Sequence, residues 1–362
     1  MGGLLGKWAD GEGIMSHEEF PPIQQRLMRF VRERFKPGYN HYNVSKLVGD
    51  ASSRQYYRYV TDDDESYILA AYPEPFDPSR FPYRQIYDLL QKIAIPVPEI
   101  VAIDSELGIV LQEDLGNESL QKTLRNADDR QKLLLLKEAI GHILTIQEKG
   151  TPALKPEYEG YGLAFDEEKL NWEFRFFARH YLDSYRGRDL PQRDLLIADF
   201  EKISALLAAY PRLLCHRDFH VRNMMVKKGL LYVIDFQDAR WGPASYDLAS
   251  LLKDSLDLGT DSVEELVEYY CEEAGRRSFF GLTDTHFAPD EFRRQFNLMC
   301  VQRLLKALGT YAYQILVRDN FIYEQYMAGS LHRTLLALNE LPEFTQTREL
   351  IETELGSLQA RA

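Results

Sequence analysis

The stretch "LLCHRDFHVRNMMV", residues 213–226, places several polar side chains between two apolar segments. Its apolar ends, "LLC" and "MMV", have the composition of short buried strands. A chain that interrupts a core segment in this way either caps backbone groups in a loop or builds a binding site. The polar residues are His216, Arg217, Asp218, His220, Arg222 and Asn223. The rest of the sequence has to decide between these two interpretations.

The spacing within this stretch is H-R-D-x-x-x-x-N, with Asp218 and Asn223 as its last two fixed positions. In the protein-kinase catalytic loop, an Asp at this position accepts the proton of the acceptor hydroxyl, and the Asn holds a metal ion. Asp235 follows a little later, directly after the apolar segment "LLYVI". A carboxylate at the end of a buried strand is suited to bind Mg²⁺ between nucleotide phosphates. The order and spacing therefore favour a kinase-type site.

A zinc site is an alternative, because His216 and His220 are one helical turn apart in sequence. Zinc hydrolases with this spacing carry Glu after the first His and place the motif on a helix. Here Arg217 occupies that position in a predicted loop, so the pattern disfavours zinc. The three cysteines are widely separated and show no C-x-x-C pairing, which argues against a zinc ribbon or a disulfide framework.

Acidic residues outnumber basic residues by 56 to 43, which gives the 362-residue chain a net charge of −13. Such a surface repels phosphate backbones and anionic lipid, so the composition disfavours a nucleic-acid-binding or membrane-surface protein. No apolar run reaches the roughly 18 residues that a membrane helix needs. The sequence therefore predicts a cytoplasmic protein, with no nucleic acid, membrane or obligate protein partner evident.

The pattern of apolar residues changes character near Gly116. Before it, alternating segments separated by "GDASS" and "TDDDES" predict an antiparallel sheet with one helix, and after it apolar residues recur at helical spacing. We therefore predict an α+β protein with a two-lobed, protein-kinase-like fold and a ligand in the cleft between its lobes. The predicted regions are a flexible N-terminal tail at 1–20, a nucleotide-binding N-lobe at 21–115, a catalytic and substrate-binding C-lobe at 116–345 and a C-terminal tail at 346–362.

Two further segments are candidates for nucleotide binding. "VGDASSRQYYR", residues 48–58, lies between two predicted strands, and its small residues let backbone N–H groups approach phosphate oxygens closely. "IVLQEDLG", residues 109–116, connects the two predicted lobes, where the backbone of a kinase hydrogen-bonds adenine. The same segments also fit an ordinary hairpin turn and an interdomain linker. The candidate ATP-binding residues are Gly49, Ser52, Ser53, Arg54, Arg58, Gln112, Glu113 and Leu115.

These parts, in this order, resemble the aminoglycoside phosphotransferase and choline kinase superfamily over residues 40–340. "GDASSRQYYR", "QEDLG", "HRDFHVRN", "IDFQDARWGPASYDLASLL" and "QRLLKALGTYAYQ" are most similar to the bacterial anomeric sugar kinases, which phosphorylate the C1 hydroxyl of N-acetylmuramate or N-acetylglucosamine in cell-wall recycling. The resemblance implies that Asp218 is the catalytic base and that Asn223 and Asp235 bind the metal ion. It implies structural roles for His216 and Asp247, the latter bracing the catalytic loop from the next helix.

The sequence departs from the superfamily at the third strand, which usually carries a Lys that grips the α- and β-phosphates. Here the strand is "SYILAAYP", with Ala70 and Ala71 where that Lys is expected. The resemblance to the anomeric sugar kinases implies the same absence. Another cation should compensate, and Arg54 and Arg58 are the candidates because they belong to the predicted phosphate loop.

The acceptor site is expected in the helical lobe near Asp218. Its candidate residues are Asn171, Glu173, His220, Arg222 and Arg303. If the acceptor is N-acetylmuramate, Arg222 or Arg303 is expected to face its lactyl carboxylate. The segment that contains Asn171 and Glu173 also fits a plain helix with its aromatic residues in the core.

The residues and the resemblance together predict a kinase that uses ATP and Mg²⁺ to phosphorylate the anomeric hydroxyl of an amino sugar, N-acetylmuramate or N-acetylglucosamine. A kinase of a cationic acceptor, such as an aminoglycoside or choline, is one alternative, and the acidic net charge is compatible with it. A nucleotide-binding pseudokinase is another, because the strand Lys is missing. The complete set Asp218, Asn223 and Asp235 opposes this last alternative, since a scaffold has no need of all three.

Overall fold

The computed structural model describes residues 22–35, 43–47, 54–187, 193–254, 256, 258–277 and 288–359. The chain forms two compact units. The first comprises Met1–Asp77 and Glu99–Asp114, and the second comprises Pro78–Pro98 and Leu115–Ala362. The predicted tail at 1–20 lies outside the described residues, and the predicted division into 21–115 and 116–345 stays a prediction.

The first unit is built on a five-stranded antiparallel sheet. Its strands are β1 (Asn43–Lys46), β2 (Gln55–Val60), β3 (Ser66–Ala71), β4 (Ile100–Asp104) and β5 (Ile109–Glu113), paired in the order β1-β2-β3-β5-β4. In β2, the buried Tyr57 and Tyr59 alternate with the more exposed Tyr56 and Arg58, because successive side chains of a strand point to opposite faces. The buried face packs against Leu27 and other residues of helix α1 (Ile23–Phe30).

The second unit contains the other helices and two short antiparallel ribbons. The helices are α2 (Pro82–Lys92), α3 (Leu120–Asn126), α4 (Asp129–Thr145), α5 (Glu167–Phe177), α6 (Arg193–Ala209), α7 (Ser245–Ala249), α8 (Thr260–Arg277), α9 (Pro289–Arg318), α10 (Glu324–Asn339) and α11 (Thr345–Gln359). One ribbon pairs β6 (Arg212–Cys215) with β9 (Arg240–Pro243), and the other pairs β7 (Met224–Lys227) with β8 (Leu230–Val233). The α+β class predicted from the sequence is confirmed.

The long helix α9 lies against α5, and one glycine allows the two backbones to come close. A Cβ atom built on Gly309 of α9 would lie 2.7 Å from the Cα atom of Phe177, at the end of α5. That separation is shorter than a carbon–carbon contact permits, so the glycine sets the distance between the helices. Arg303 and Lys306 of α9 interact electrostatically with Asp218, and Glu173 of α5 interacts with Arg217.

We expect Gly309→Ala to destabilise the protein by about 1–3 kcal/mol, because the added methyl group forces two packed backbones apart. Helix propensity alone would favour Ala by roughly 0.5–1 kcal/mol. Gly141→Ala, in the middle of α4, is the matched control, because a Cβ there meets no atom within 4 Å. Urea unfolding of both variants checks this: stabilisation of both by a similar amount would contradict the packing argument.

Residues 346–362, predicted as a tail, largely form helix α11. Ile351 and Glu354 are both buried in it. The carboxylate of Glu354 forms an ion pair with the buried Arg186 and accepts a hydrogen bond of 3.4 Å from the hydroxyl of Tyr181. A helix that buries a paired carboxylate has a weak apolar pattern, which explains why its sequence did not indicate a packed helix.

Two predictions from composition can be compared with the structure. Cys215, Cys271 and Cys300 are buried and form no disulfide bond. Within the described ranges, no helix combines the length and the apolar character that crossing a membrane requires.

Candidate active site

The polar stretch at 216–223 is a loop that leaves the buried strand β6 and enters β7. Both oxygens of the fully buried Asp247 carboxylate anchor the start of this loop. The backbone N–H of His216 donates to Oδ2 over 2.7 Å, and that of Arg217 donates to Oδ1 over 3.0 Å. Burial raises the pKa of Asp247, while the two N–H groups and His216 oppose the shift. These two hydrogen bonds tie the start of the loop to Asp247, on α7, and the structural role of this residue stays a prediction.

The backbone of Arg217 is strained, and a second buried group supports it. Its φ angle is +88°, in a region that non-glycine residues rarely occupy. Its carbonyl oxygen accepts a hydrogen bond of 3.2 Å from Nη1 of Arg303, on α9. Arg303 also donates to Oγ of Ser250 over 2.8 Å and lies 4.4 Å above the ring of Tyr246. Strained backbone of this kind is retained where the surroundings over-determine it, which is common at functional sites.

A tight turn links Asp218 to Asn223. The backbone carbonyl of Asp218 accepts from the N–H of His220 over 2.9 Å and from Nδ2 of Asn223 over 3.0 Å. Because the amide nitrogen of Asn223 donates this hydrogen bond, its Oδ1 atom is the end of the side chain that can bind a metal ion. No donor from the described residues takes that oxygen.

Asp235 lies next to Asn223 because of the β7–β8 ribbon. Met224 and Val233 are the first paired residues, and beyond them the N–H of Ile234 donates to the carbonyl of Asn223 over 3.0 Å. Asp235 follows with a φ angle of +63°, and its Oδ1 accepts from Gln237 over 3.1 Å. The backbone of Asn223 therefore contacts that of Ile234, the residue before Asp235, at one end of the ribbon. Their side chains offer an amide and a carboxylate oxygen, the ligand types that Mg²⁺ prefers.

Cations dominate the electrostatics around Asp218. Burial by itself would raise the pKa of the Asp218 carboxyl, but the charges of Arg217, Lys306, Arg303 and His220 outweigh burial and hold the pKa well below its ordinary value. The carboxylate is consequently ionised at any pH at which a kinase would be assayed. An ionised carboxylate can accept a proton or orient a hydroxyl group.

The predicted acceptor residues do not share one environment. Glu173 is buried, and its carboxylate accepts from Nε2 of Gln302 over 2.7 Å and lies 3.5 Å from Nζ of Lys169. Asn171 and His220 are half-buried, and Arg222 is exposed. Arg303 is buried behind the loop in the contacts already described. These positions favour His220 and Asn171 over Arg303 as groups that can reach a ligand.

A set of charged neighbours near Asp218 was not predicted from the sequence. Nη1 of Arg217 lies 2.9 Å from Oδ2 of Asp238, and Arg240 donates to the backbone carbonyl of Asp238 over 3.0 Å. Lys169 and Lys306 complete the set, since each interacts electrostatically with this part of the site. Asp238 and Arg240 belong to "IDFQDARWG" and Lys306 belongs to "QRLLKALG", so the quoted motifs already contained them. Only the packing of α5 and α9 relates Lys169 to Lys306.

The nucleotide-binding predictions concern the first unit and the residues that follow it. Gly49, Ser52 and Ser53 lie outside the described residues. The guanidinium of Arg54 lies 5.9 Å and 5.8 Å from the ring centres of Tyr56 and Tyr72.

Arg58 makes a two-pronged ion pair with the carboxylate of Asp114, at 2.6 Å and 3.1 Å. Oγ of Ser66 donates to the same carboxylate over 2.5 Å. The pair ties the middle of the sheet to the end of β5, so Arg58 has a structural partner in its own unit.

The predicted connector, residues 109–116, consists of β5 and the three residues that follow it. Gln112 is buried in the sheet, paired with Ile68 on one side and with Ile100 on the other. The backbone N–H of Glu113 donates to the carbonyl of Glu99 over 2.8 Å, and Leu115 is buried at the start of the second unit. Within the segment 109–116, after Asp114, the chain passes from the first unit to the second for the second time.

Comparison with known proteins identifies a protein family and several relatives that this chain resembles. Residues 43–285 match the phosphotransferase enzyme family, APH. A relative from Neisseria meningitidis serogroup B, named N-acetylmuramate/N-acetylglucosamine kinase, is 34% identical over 75% of this chain and 78% of its own. A relative of the same name from Pseudomonas putida is 32% identical over 87% of this chain and 89% of its own.

Solved structures show the same fold at low sequence identity. A choline/ethanolamine kinase family protein from Mesorhizobium loti superimposes with a TM-score of 0.59 at 14% identity, covering 91% of this chain and 98% of that one. The choline kinase LicA from Streptococcus pneumoniae gives a TM-score of 0.56 at 14% identity, covering 88% of this chain and 99% of that one. The predicted kinase-like fold and the predicted superfamily are confirmed.

Proposed function

Because the chain belongs to the phosphotransferase enzyme family, we propose that it transfers the γ-phosphoryl group of ATP to the anomeric hydroxyl of N-acetylmuramate or N-acetylglucosamine. The observation that carries this proposal is the arrangement of Asp218, Asn223 and Asp235 on one loop and one ribbon, in contacts that fix the backbone at Asp218, at Asn223 and at Ile234, next to Asp235. The names of the relatives supply the acceptor. The product would be a sugar 1-phosphate, formed in cell-wall recycling.

Asp218 is the proposed base. Its carboxylate stays ionised because the neighbouring cations outweigh its burial, so it can hydrogen-bond the acceptor hydroxyl and receive its proton as the O–P bond forms. An anomeric hydroxyl is more acidic than an ordinary alcohol, and a weak base therefore suffices. Asp247, His216 and Arg303 act indirectly, by holding the loop that carries Asp218.

Asn223 and Asp235 are the proposed metal ligands. Kinases of this family use ATP with a divalent metal ion, and we propose Mg²⁺. Bound Mg²⁺ neutralises charge on the nucleotide phosphates. The two residues fit that ion, because Oδ1 of Asn223 is turned away from its backbone contact and Asp235 provides a carboxylate close by.

The described residues contain no group of three or more His, Cys, Asp and Glu side chains that could hold a metal ion alone. Nucleotide oxygens and water complete the coordination of Mg²⁺ in such sites.

The nucleotide is proposed to bind the first unit and the connector. Arg54 is the proposed replacement for the missing strand Lys, with Gly49, Ser52 and Ser53 contributing backbone N–H groups. The connector residues Gln112, Glu113 and Leu115 are proposed to lie along adenine. On this proposal, residues 21–115 bind the nucleotide, and residues 116–345 provide catalysis and sugar binding. A requirement for ATP agrees with a cytoplasmic enzyme.

The two arginines of the predicted phosphate loop should behave differently. Arg58→Met removes the ion-pair partner of the Asp114 carboxylate, whose side chain is 6% exposed, while the hydrogen bond from Ser66 remains. Because a buried carboxylate then loses its counter-charge, we expect a loss of about 1–3 kcal/mol of stability. Arg54→Met should leave stability nearly unchanged and raise the KM for ATP about tenfold, because one charged hydrogen bond to phosphate is lost. Thermal unfolding and initial rates of both variants check this. An unchanged KM for ATP in Arg54→Met would remove Arg54 from the nucleotide site.

The charges near Asp218 bear on the alternative acceptors. Lys169, Arg217, Arg240 and Lys306 interact electrostatically with one another in this region. A polycationic aminoglycoside would bring like charges to these groups, which costs free energy in a half-buried site. A neutral or anionic sugar avoids this repulsion. The cations of this region outnumber the carboxylates of Glu173, Asp218 and Asp238, which supports an N-acetylated sugar over a cationic acceptor.

A coupled assay of ADP release tests the proposed function. The panel contains N-acetylmuramate, N-acetylglucosamine, glucosamine, kanamycin and choline, each with ATP and Mg²⁺. We expect turnover with one or both N-acetylated sugars and background rates with the two cationic acceptors. Turnover with kanamycin or choline alone would replace the proposal with the cationic alternative. Background rates throughout, with ATP bound, would support a pseudokinase.

A further inference from the structure

Helix α9 presents three polar residues along one side, within about one turn. Gln302 donates to the carboxylate of Glu173 over 2.7 Å, and Arg303 donates to the carbonyl of Arg217 over 3.2 Å. Lys306 is four residues after Gln302 and three after Arg303, so it lies on the same side, one turn further along the helix. The half-buried Lys306 therefore stands beside the catalytic loop, next to groups that contact it directly.

The facing helix brings a second lysine to the same level. Lys169 is one turn before Glu173 on α5, and its Nζ atom lies 3.5 Å from Glu173 and 4.0 Å from the ring centre of Trp172. Burial lowers the pKa of Lys169, Glu173 opposes the shift, and the charge of Lys306 adds to the lowering. The two lysines are thus close enough to repel each other across the contact between α5 and α9.

Most cations of this region already have an anionic partner. Arg217 and Arg240 share Asp238, at 2.9 Å and 3.7 Å, and Lys169 has Glu173. Lys306 is different: no hydrogen bond or ion pair joins its amine to any residue in the described part of the chain. Its ammonium group interacts electrostatically with the Asp218 carboxylate but makes no direct ion pair with it, so it can still bind an anionic group of a ligand.

The proposed acceptors differ by one anionic group. N-acetylmuramate carries a lactyl ether, with a carboxylate, at the ring position where N-acetylglucosamine has a hydroxyl. This carboxylate is separated from the anomeric hydroxyl by part of the sugar ring. A cation that recognises it must therefore lie near Asp218 but to one side of it, which is where α9 holds Lys306. Arg303 is committed to Arg217, Ser250 and Tyr246, which makes it less suited to this task.

We propose that Lys306 binds the carboxylate of an anionic sugar acceptor and so determines the preference of the enzyme for N-acetylmuramate over N-acetylglucosamine. The inference rests on the proposed function, and it assigns the acceptor carboxylate to a residue of α9. Lys169 supports this role by adding positive potential from the opposite helix, while Glu173 and Gln302 hold the two helices in register.

Steady-state kinetics of Lys306→Met with both sugars tests this inference. Met keeps the length of the apolar stem and removes the charge. We expect kcat/KM for N-acetylmuramate to fall about 10- to 100-fold, mostly through KM, because one charge-assisted hydrogen bond is lost. The value for N-acetylglucosamine should stay within about threefold, since that sugar has no carboxylate to lose. Lys306→Arg should recover most of the activity towards N-acetylmuramate.

Two controls show whether the loss belongs to the charge of Lys306. Lys137→Met removes a partly buried lysine that pairs with Glu265 elsewhere in the second unit, and it should leave both sugars unaffected. Lys306→Gln repeats the test with a polar replacement, and thermal unfolding shows whether each variant is folded. An equal loss for both sugars would overturn the inference, because Lys306 would then act on the phosphoryl group or on Asp218. Unchanged kinetics with both sugars in Lys306→Met and Lys306→Gln would overturn it as well.

The wild-type enzyme distinguishes failure of the inference from failure of the proposed function. If the enzyme phosphorylates N-acetylglucosamine but not N-acetylmuramate, the inference is contradicted and the proposed kinase activity stands. Turnover of neither sugar would sink both.

Discussion

Asp218→Asn is expected to lower kcat for the sugar by about 10²- to 10⁴-fold, the range that general-base residues contribute. The amide keeps the shape of the side chain, so the loop that Asp247 and Arg303 hold should remain in place. It cannot accept the proton of the acceptor hydroxyl, and it removes the negative charge that faces Arg217. The loss should appear in kcat, because the group acts in the transition state.

The control for this prediction is nucleotide binding. Calorimetric titration with ATP and Mg²⁺ should give the wild-type dissociation constant within about threefold, since Asp218 faces the acceptor. Asp238→Asn is the matched variant: it removes a neighbouring carboxylate that pairs with Arg217 but has no proposed contact with the acceptor. A near-normal kcat in Asp218→Asn would rule out Asp218 as the base.

Asp247→Ala is expected to have the largest effect on stability, a loss of about 3–5 kcal/mol. Two backbone N–H groups, of His216 and Arg217, lose their acceptor in a fully buried position that water does not reach. The strained backbone of Arg217 loses part of its support in the same step. Activity should fall with stability, because these contacts position the residue that precedes Asp218.

Urea unfolding and turnover of the folded fraction check this prediction. Asp199→Ala is the matched control, because Asp199 also holds two groups, the N–H and hydroxyl of Thr347, but is only half-buried and lies on α6. The free energy of unfolding of Asp199→Ala should fall by at most about 2 kcal/mol. An Asp247→Ala variant as stable as Asp199→Ala would show that the loop does not depend on the buried carboxylate.

Much of the site could be predicted because its residues are close in sequence. Asp218 and Asn223 lie in one short loop, and Asp235 follows the next strand, so motif spacing was enough to bring them together. The sheet of the first unit was predictable for a similar reason, since β2 alternates Tyr57 and Tyr59 with Tyr56 and Arg58 in period 2. Local patterns carry information about local structure and about motifs that stay local.

The parts that sequence could not supply depend on helices far apart along the chain. Arg303 was expected at the acceptor, but α9 places it beneath the Arg217 carbonyl, and only tertiary packing decides which side of a helix faces a loop. Lys306 was not singled out, because an isolated lysine on a helix is usually solvated. Only the packing of α5 on α9 shows that Lys306 lies close to Lys169, which pairs with Glu173.

Arg58 illustrates the same limit within the sheet. Its place near the predicted phosphate loop suggested a phosphate ligand, but Asp114 is 56 residues away in sequence and reaches it through strand pairing. A cation in a sequence pattern does not reveal which anion will neutralise it. The contact with Asp114 favours Arg54 as the nucleotide-binding cation, and that assignment remains a proposal.

The position of the transferred phosphate on the product shows whether the enzyme phosphorylates the anomeric hydroxyl. The wild-type enzyme, incubated with ATP, Mg²⁺ and N-acetylmuramate or N-acetylglucosamine, can be followed by phosphorus NMR with correlation to the sugar protons. We expect a new phosphate signal coupled to the anomeric proton, formed together with ADP and absent with Asp218→Asn. A phosphate on another sugar hydroxyl, or ADP formation without any phosphorylated sugar, would contradict it.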